Sequence, residues 1–151
     1  MTPHGAVSTF YTFSSTATSL TGPLIEGTDG NFYGTAGSIV FQLTPDATLT
    51  VLHTFGQGTD GKGTAGAVVQ GPNGNLYGLC TVGGTAGDGT IYEISTDGSS
   101  YSVLHNFGDG SIQNDGQNPS GRLLLGADNN FYDVTEFGGS AGKGTIFKVS
   151  P

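Results

Sequence analysis

Three stretches decide how this 151-residue chain is read: "GTDGNFYGTA" at 27–36, "GPNGNLYGLC" at 71–80 and "GADNNFYDVT" at 126–135. Each carries a turn dipeptide (Asp29-Gly30, Asn73-Gly74, Asp128-Asn129) followed by an apolar-tyrosine pair. Gly and Asn tolerate the positive φ of hairpin turns, so each stretch predicts two antiparallel strands joined by a type I′ turn.

Working outward, each phrase sits in a longer repeat. A strand "GPLIEG" (22–27), "GAVVQG" (66–71) or "GRLLLG" (121–126) precedes the turn, and "NFYGTA", "NLYGLC" or "NFYDVT" follows it. A third strand comes next, "IVFQLTP" (39–45), "TIYEIST" (90–96) or "TIFKVSP" (145–151). The fourth is "TLTVLHTF" (48–55) or "SYSVLHNF" (100–107). The opening "TPHGAVSTFYTF" (2–13) overlays on "TPDATLTVLHTF" (44–55), so the chain begins with a fourth strand and ends with a third.

Four short antiparallel strands per ~40–50 residues are the signature of a β-propeller blade. The fold class expected is therefore all-β, one repeat domain over 1–151 with units at about 14–55, 56–107 and 108–151. The strand 2–13 is expected to complete the last blade. Three blades fall short of the ~4–8 that close a ring. Two chains exchanging terminal strands would make a six-bladed homodimer with two-fold symmetry.

Composition agrees with short strands and turns. There are 28 glycines, 15 Phe plus Tyr, no tryptophan and few charged residues. A formal charge of −8 repels a polyanion, which argues against nucleic acid as a partner. No apolar run approaches the ~18–20 residues that span a bilayer, so no membrane insertion is expected. The lone Cys80 has no intrachain disulfide partner and reads as a small residue packed in a strand. "MTPHGAVSTF" has no basic region leading into an apolar one, so no signal peptide is expected within these residues.

"DGNFYGT", "GGTAGDGTIYEI", "GGSAGKGTIFKVSP" and "LTVLHTF" resemble the Gloeobacter/Verrucomicrobia-type tandem repeat, over essentially the whole chain. That resemblance implies a propeller-like array in secreted or surface-anchored bacterial proteins, hence an extracellular or cell-surface setting, and it implies no activity. Three features depart from the pattern. Residues 36–39 lack the GG-containing loop, Asp133 replaces a glycine and Cys80 replaces a threonine.

Two connections vary in length between units. From second to third strand, Asn31–Phe41 spans 10 residues, whereas Asn75–Tyr92 and Asn130–Phe147 span 17. From fourth to first, the span grows from 11 (Phe13–Leu24) through 13 (Phe55–Val68) to 16 (Phe107–Leu123). Both lie at the same strand ends, so one face of the disc carries the variation and is the candidate binding face. Its ligand-binding candidates are Asp60, Asp109, Asp115, Asn118, Arg122, Asp133 and Glu136, with Arg122, Asp133 and Glu136 at the mouth of a central channel. Asp, Asn and Gly are also what surface turns are made of, which is the plainer reading of each.

Recurring Tyr33, Tyr77 and Tyr132, and Phe13, Phe55 and Phe107, read as inter-blade packing rather than a sugar-stacking platform. His53 and His105, replaced by Tyr11 in the leading segment, read as packing positions rather than ligands or bases. GxSxG, HExxH, CxxC and a phosphate-binding GK[ST] are all missing. Glu136, Asp133 and Glu26 are the acids that glycoside cleavage would have to use. "DGSIQNDGQN" (109–118) lacks EF-hand spacing, so calcium has little support and no cofactor is expected. The reading favoured is a non-enzymatic, extracytoplasmic module binding a polar ligand of the glycan class. Its alternatives are a carbohydrate-active hydrolase or lyase and a purely structural surface repeat.

Overall fold

A computed structural model describes residues 5–13, 19–20 and 22–151. Pro3 of the leading repeat match and residues 14–18 lie outside them. The described residues form twelve strands and no helix. They are β1 (Ile25–Glu26), β2 (Phe32–Ala36), β3 (Ile39–Leu43), β4 (Leu49–Thr54), β5 (Gly61–Gln70) and β6 (Leu76–Gly83). β7 (Thr90–Ile94), β8 (Tyr101–Asn106), β9 (Gly116–Pro119), β10 (Leu124–Leu125), β11 (Phe131–Gly138) and β12 (Ile146–Val149) complete the set.

They group into three antiparallel sheets, β1-β2-β3-β4, β5-β6-β7-β8, and β10-β11-β12 with β9 also on β11. In the third sheet β9 and β10 share the inner position, and β12 pairs only with β11 among the described residues. Both complete sheets carry the same bulge between third and fourth strands, at Val40/Phe41 and Ile91/Tyr92. The extra residue it inserts is Leu52 or Leu104, which packs into the adjoining core.

The hairpin turn differs from the type I′ expectation. Gly30 N–H donates to Gly27 C=O at 3.0 Å, and in each turn only the third residue has positive φ: Gly30 (77°), Gly74 (86°) and Asn129 (61°). This is a type I turn followed by one left-handed residue, the three-residue hairpin loop. The Asx side chain explains the choice. Asp29, Asn73 and Asp128 each accept the backbone N–H two residues on, at 3.2 Å. The same side chains hold the tyrosine of their phrase: Tyr33 donates to Asp29 at 2.6 Å, Asn73 donates to Tyr77 at 2.8 Å, and Tyr132 donates to Asp128 at 2.7 Å. Turn and tyrosine recur together because one short polar side chain fastens both.

Each junction buries the back of one sheet against the front of the next. Tyr33, Val40, Leu52 and Phe55 meet Val68, Leu76, Cys80, Tyr92 and Ile94. Tyr77, Leu79, Ile91 and Phe107 then meet Leu123 and Phe131. The phenylalanine ending each outer strand packs on the third-strand aromatic of the next unit, with Phe55–Tyr92 centroids 4.8 Å apart and Phe107–Phe147 5.2 Å apart. Residues 5–13 pair with no strand and lie on the front of the first sheet, Phe13 standing 5.1 Å from Phe41. At the axis the inner strands nearly touch. A Cβ on Gly22 would sit 2.4 Å from the Gly66 carbonyl carbon, and one on Gly66 would sit 2.7 Å from the Gly121 oxygen. No other residue permits that approach, which accounts for the glycine opening each inner strand.

Candidate functional site

The two variable connections do meet on one face, and part of each is paired ribbon rather than free loop. β5 and β6 run on past the blade, matching Gly61 with Gly83 and Lys62 with Val82. β9 and β11 do the same, matching Thr135 with Pro119 and Gly138 with Gly116. The connections lengthen together because each supplies the other's hydrogen-bonding partner. Neighbouring ribbons are then tied. Gln117 Nε2 donates to Asp88 Oδ2 at 2.8 Å, Asn118 N–H to the Asp88 carbonyl at 2.7 Å, and Asn118 Nδ2 to the Thr81 carbonyl at 3.0 Å. Asn118, with φ at 54°, is thus committed to holding the ribbons.

Asp60 and Asp115 are committed as well. Asp60 Oδ2 meets His53 Nε2 at 2.8 Å, while its Oδ1 accepts Gly61 N–H at 2.8 Å and the Tyr101 hydroxyl. Tyr101 stacks on His53 with centroids 3.8 Å apart. At the next junction Asp115 Oδ2 meets His105 Nε2 and accepts Gly108 N–H, both at 2.9 Å, and Oδ1 accepts Gly116 N–H at 2.8 Å. The two carboxylates are only 10% and 11% exposed. They clamp an outer strand to the start of the next inner strand and have no oxygen left over for a ligand. Sequence reading recognised the histidines as structural and missed their acids; the signal was the shared Asp-Gly after each recurring histidine.

Asp133 and Glu136 do not act as a pair. They lie three residues apart on β11, so strand alternation sends them to opposite faces. Asp133 turns inward beneath Gly121, its Oδ1 accepting Val134 N–H at 2.8 Å and its buried Oδ2 accepting nothing. Burial raises its pKa above the ordinary aspartate value. Glu136 is exposed, and Glu26 lies exposed on β1, two sheets away. Arg122 is exposed beside an open axial groove of about 360 Å³, lined by Val69 and Leu123–Leu125. Among the described residues no Lys or Arg stands within 4.0 Å of a carboxylate oxygen, the close contacts being the two His–Asp ones, so Arg122, Glu136 and Lys143 have their charges free. Asp109 is exposed too, accepting Ser111 N–H at 2.9 Å and a bond from the Ser111 side chain.

The remaining candidate groups are packing elements. Tyr33 and Tyr77 are fully buried, and burial followed by the Glu93 hydrogen bond pushes the Tyr77 pKa up to about 12. Cys80 is fully buried in β6, its thiol likewise pushed up to about 12 by burial. Among the described residues no three His, Cys, Asp or Glu side chains gather as a metal would require. What the face offers is a polar, acidic display: Glu136 on a ribbon, Asp109, Gln113 and Asn114 in the exposed turn that leads into β9, and Arg122 toward the axis.

Comparison with known proteins places this geometry. The family model of the Gloeobacter/Verrucomicrobia repeat matches residues 36–151. A streptogramin B lyase structure superposes with a TM-score of 0.52 at 18% identity, covering 85% of this chain and 39% of that one. Virginiamycin B lyase from Staphylococcus aureus superposes with a TM-score of 0.52 at 21% identity, covering 83% and 40%. At such identities the likeness is one of fold, propeller-like, and the chain spans about two fifths of those structures' length. No curated protein matches the sequence.

Proposed function

From a chain that belongs to the Gloeobacter/Verrucomicrobia repeat family and folds as a propeller-like arc, we propose a non-enzymatic, extracytoplasmic binding module. Its ligand is polar and of the glycan class, held on the ribbon face as part of a six-bladed ring made by two chains. One observation carries the reading: the segments that differ between units share one face, partly paired and cross-tied through Gln117 and Asn118, and it presents Asp109, Gln113 and Asn114 from the turn 107–115 together with Arg122 and Glu136. Hydroxyl-rich ligands are recognised by just such fixed donors and acceptors, and a preformed face loses little entropy on binding. Of the candidates named from sequence, Asp109, Arg122 and Glu136 remain for the ligand, since Asp60, Asp115 and Asn118 already hold the fold and Asp133 faces inward.

A glycoside hydrolase is disfavoured by the placing of its acids. Cleavage by two carboxylates needs both flanking one bond, about 5–10 Å apart. Asp133 and Glu136 are on opposite faces of one strand. Glycan-array binding of the wild type and of Asp109→Ala, Arg122→Ala and Glu136→Ala variants tests the proposal. Retention of a glycan class that these variants weaken supports it. A blank array sinks it, and product release abolished by Glu136→Gln would establish the enzyme instead.

A further inference from the structure

The cleft between the second and third sheets lacks an element that its sister junction contains. At the first junction, β8 of the second sheet sits beside β7 and projects Tyr101 against His53, Phe55, Tyr92 and Asp60. The equivalent groups at the second junction are His105, Phe107, Phe147 and Asp115, and there they line a cavity of about 180 Å³. β12 runs along it with one edge unpaired among the described residues. The back of the third sheet is bare as well. Ile146 is 83% exposed and Val134 44%, whereas their counterparts Ile91 and Leu79 are 2% and 1% exposed.

The opposite end of the arc carries the complement. Residues 5–13 match the fourth strands in sequence, and Phe13 lies on Phe41 as Phe55 lies on Tyr92 and Phe107 on Phe147. Phe10, equivalent to the bulge residues Leu52 and Leu104, stands 6.1 Å from Phe32. The leading segment is therefore already placed as the outer strand of a preceding blade whose other three strands are missing. Val7 is 99% exposed and Phe10 52%.

We infer that the β12 edge and the His105–Phe147 cleft form a socket for residues 7–12 of a second copy of this chain. The inference rests on the two-chain ring proposed above and specifies how it is joined. Transferring the β7–β8 register gives the pairing: Val7 opposite Val149, Ser8 opposite Lys148, Thr9 opposite Phe147, and Tyr11 opposite Ile146, with Phe10 bulged. Val7 then enters the space that Tyr101 fills in the sister junction, and the bare back of the third sheet meets the front of the partner's first. β-Strand addition of this kind satisfies an open edge with main-chain hydrogen bonds. Two equivalent exchanges close the pair.

The test is a Ser8→Cys/Lys148→Cys double variant of the full chain, with wild-type mass measured in solution alongside. A dimeric wild type and a variant that oxidises to a covalent dimer, absent from either single variant, are expected. A dimeric wild type whose variant stays uncrosslinked overturns the socket and leaves the ring standing. A monomeric wild type overturns both, as does a disulfide formed within one chain. Val7→Asp supplies an independent reading. It should weaken dimerisation by at least tenfold, and unchanged affinity would overturn the socket.

Discussion

Replacing Asp60 with alanine should be among the most destabilising single changes outside the apolar core. The carboxylate is 10% exposed and satisfies three donors at once: His53, the half-buried Tyr101 hydroxyl and Gly61 N–H. A buried polar group left without a partner costs roughly 1–3 kcal/mol, and water reaches these three only in part, so the expected loss is about 3–5 kcal/mol. Asp115→Ala is the internal control. It also frees three donors, but one is the N–H of exposed Gly108, which water serves, and no tyrosine is involved. Its loss should be smaller by about 1–2 kcal/mol. Urea unfolding of both variants measures the difference, with equal m-values required before the midpoints are compared. A cycle combining Asp60→Ala with Tyr101→Phe isolates the Tyr101 bond and should return a coupling of about 1–2 kcal/mol. Equal costs at the two junctions, or a cycle closing at zero, would refute the reasoning.

Other expectations are simpler to check. Cys80, buried and with its thiol pushed up to about 12, should resist alkylation in the native protein and react promptly in denaturant. Asp97, held down to about 2 by Ser95 and Ser99, Asp128, lowered first by Tyr132, and Glu93, lowered first by Asn75, bind fewer protons folded than unfolded. The stability they add at neutral pH should therefore be lost as pH falls, for Glu93 from its ordinary 4.5 and for the aspartates from 3.8, toward about 2 for Asp97, and Asp97→Asn should flatten that limb of a thermal-melt series. Gly66→Ala meets a backbone oxygen at 2.7 Å with φ at 58°, while Gly30→Ala meets open space at φ 77°. Chemical denaturation should show a loss of about 2–4 kcal/mol for the first and about 1 kcal/mol for the second.

Much of the architecture could be read before any coordinates. Strand order, the packing roles of Tyr33, Tyr77, Phe55 and Phe107, and the small buried place of Cys80 all follow from local patterning repeated three times. Repetition made the reading possible: a residue type recurring at one place in every unit must serve contacts that every unit makes. Less was legible where units differ. The added residues at 81–89 and 136–144 looked like loops, and part of them is strand, because pairing depends on a segment some 20 residues away lengthening in step. The turn was mistyped for a related reason. Asp-Gly suits a type I′ turn, but the Asx side chain, fastened to a tyrosine four residues on, selects a type I turn with one left-handed residue.

The site shows the division most plainly. Asp60, Asp109, Asp115, Asp133 and Glu136 are equivalent in a sequence, five acids in or beside glycine-rich segments. Folding separates them by what they meet: His53 and Tyr101 for Asp60, His105 for Asp115, the underside of Gly121 for Asp133, and solvent for Asp109 and Glu136. Hydrophobic period and turn chemistry act over a few residues, so the chain's own order declares blades and hairpins. Whether a given carboxylate is a clamp, a buried charge or a free surface group depends on how neighbouring blades come together. The partners involved lie as many as 41 residues apart, and only packing in three dimensions selects among them.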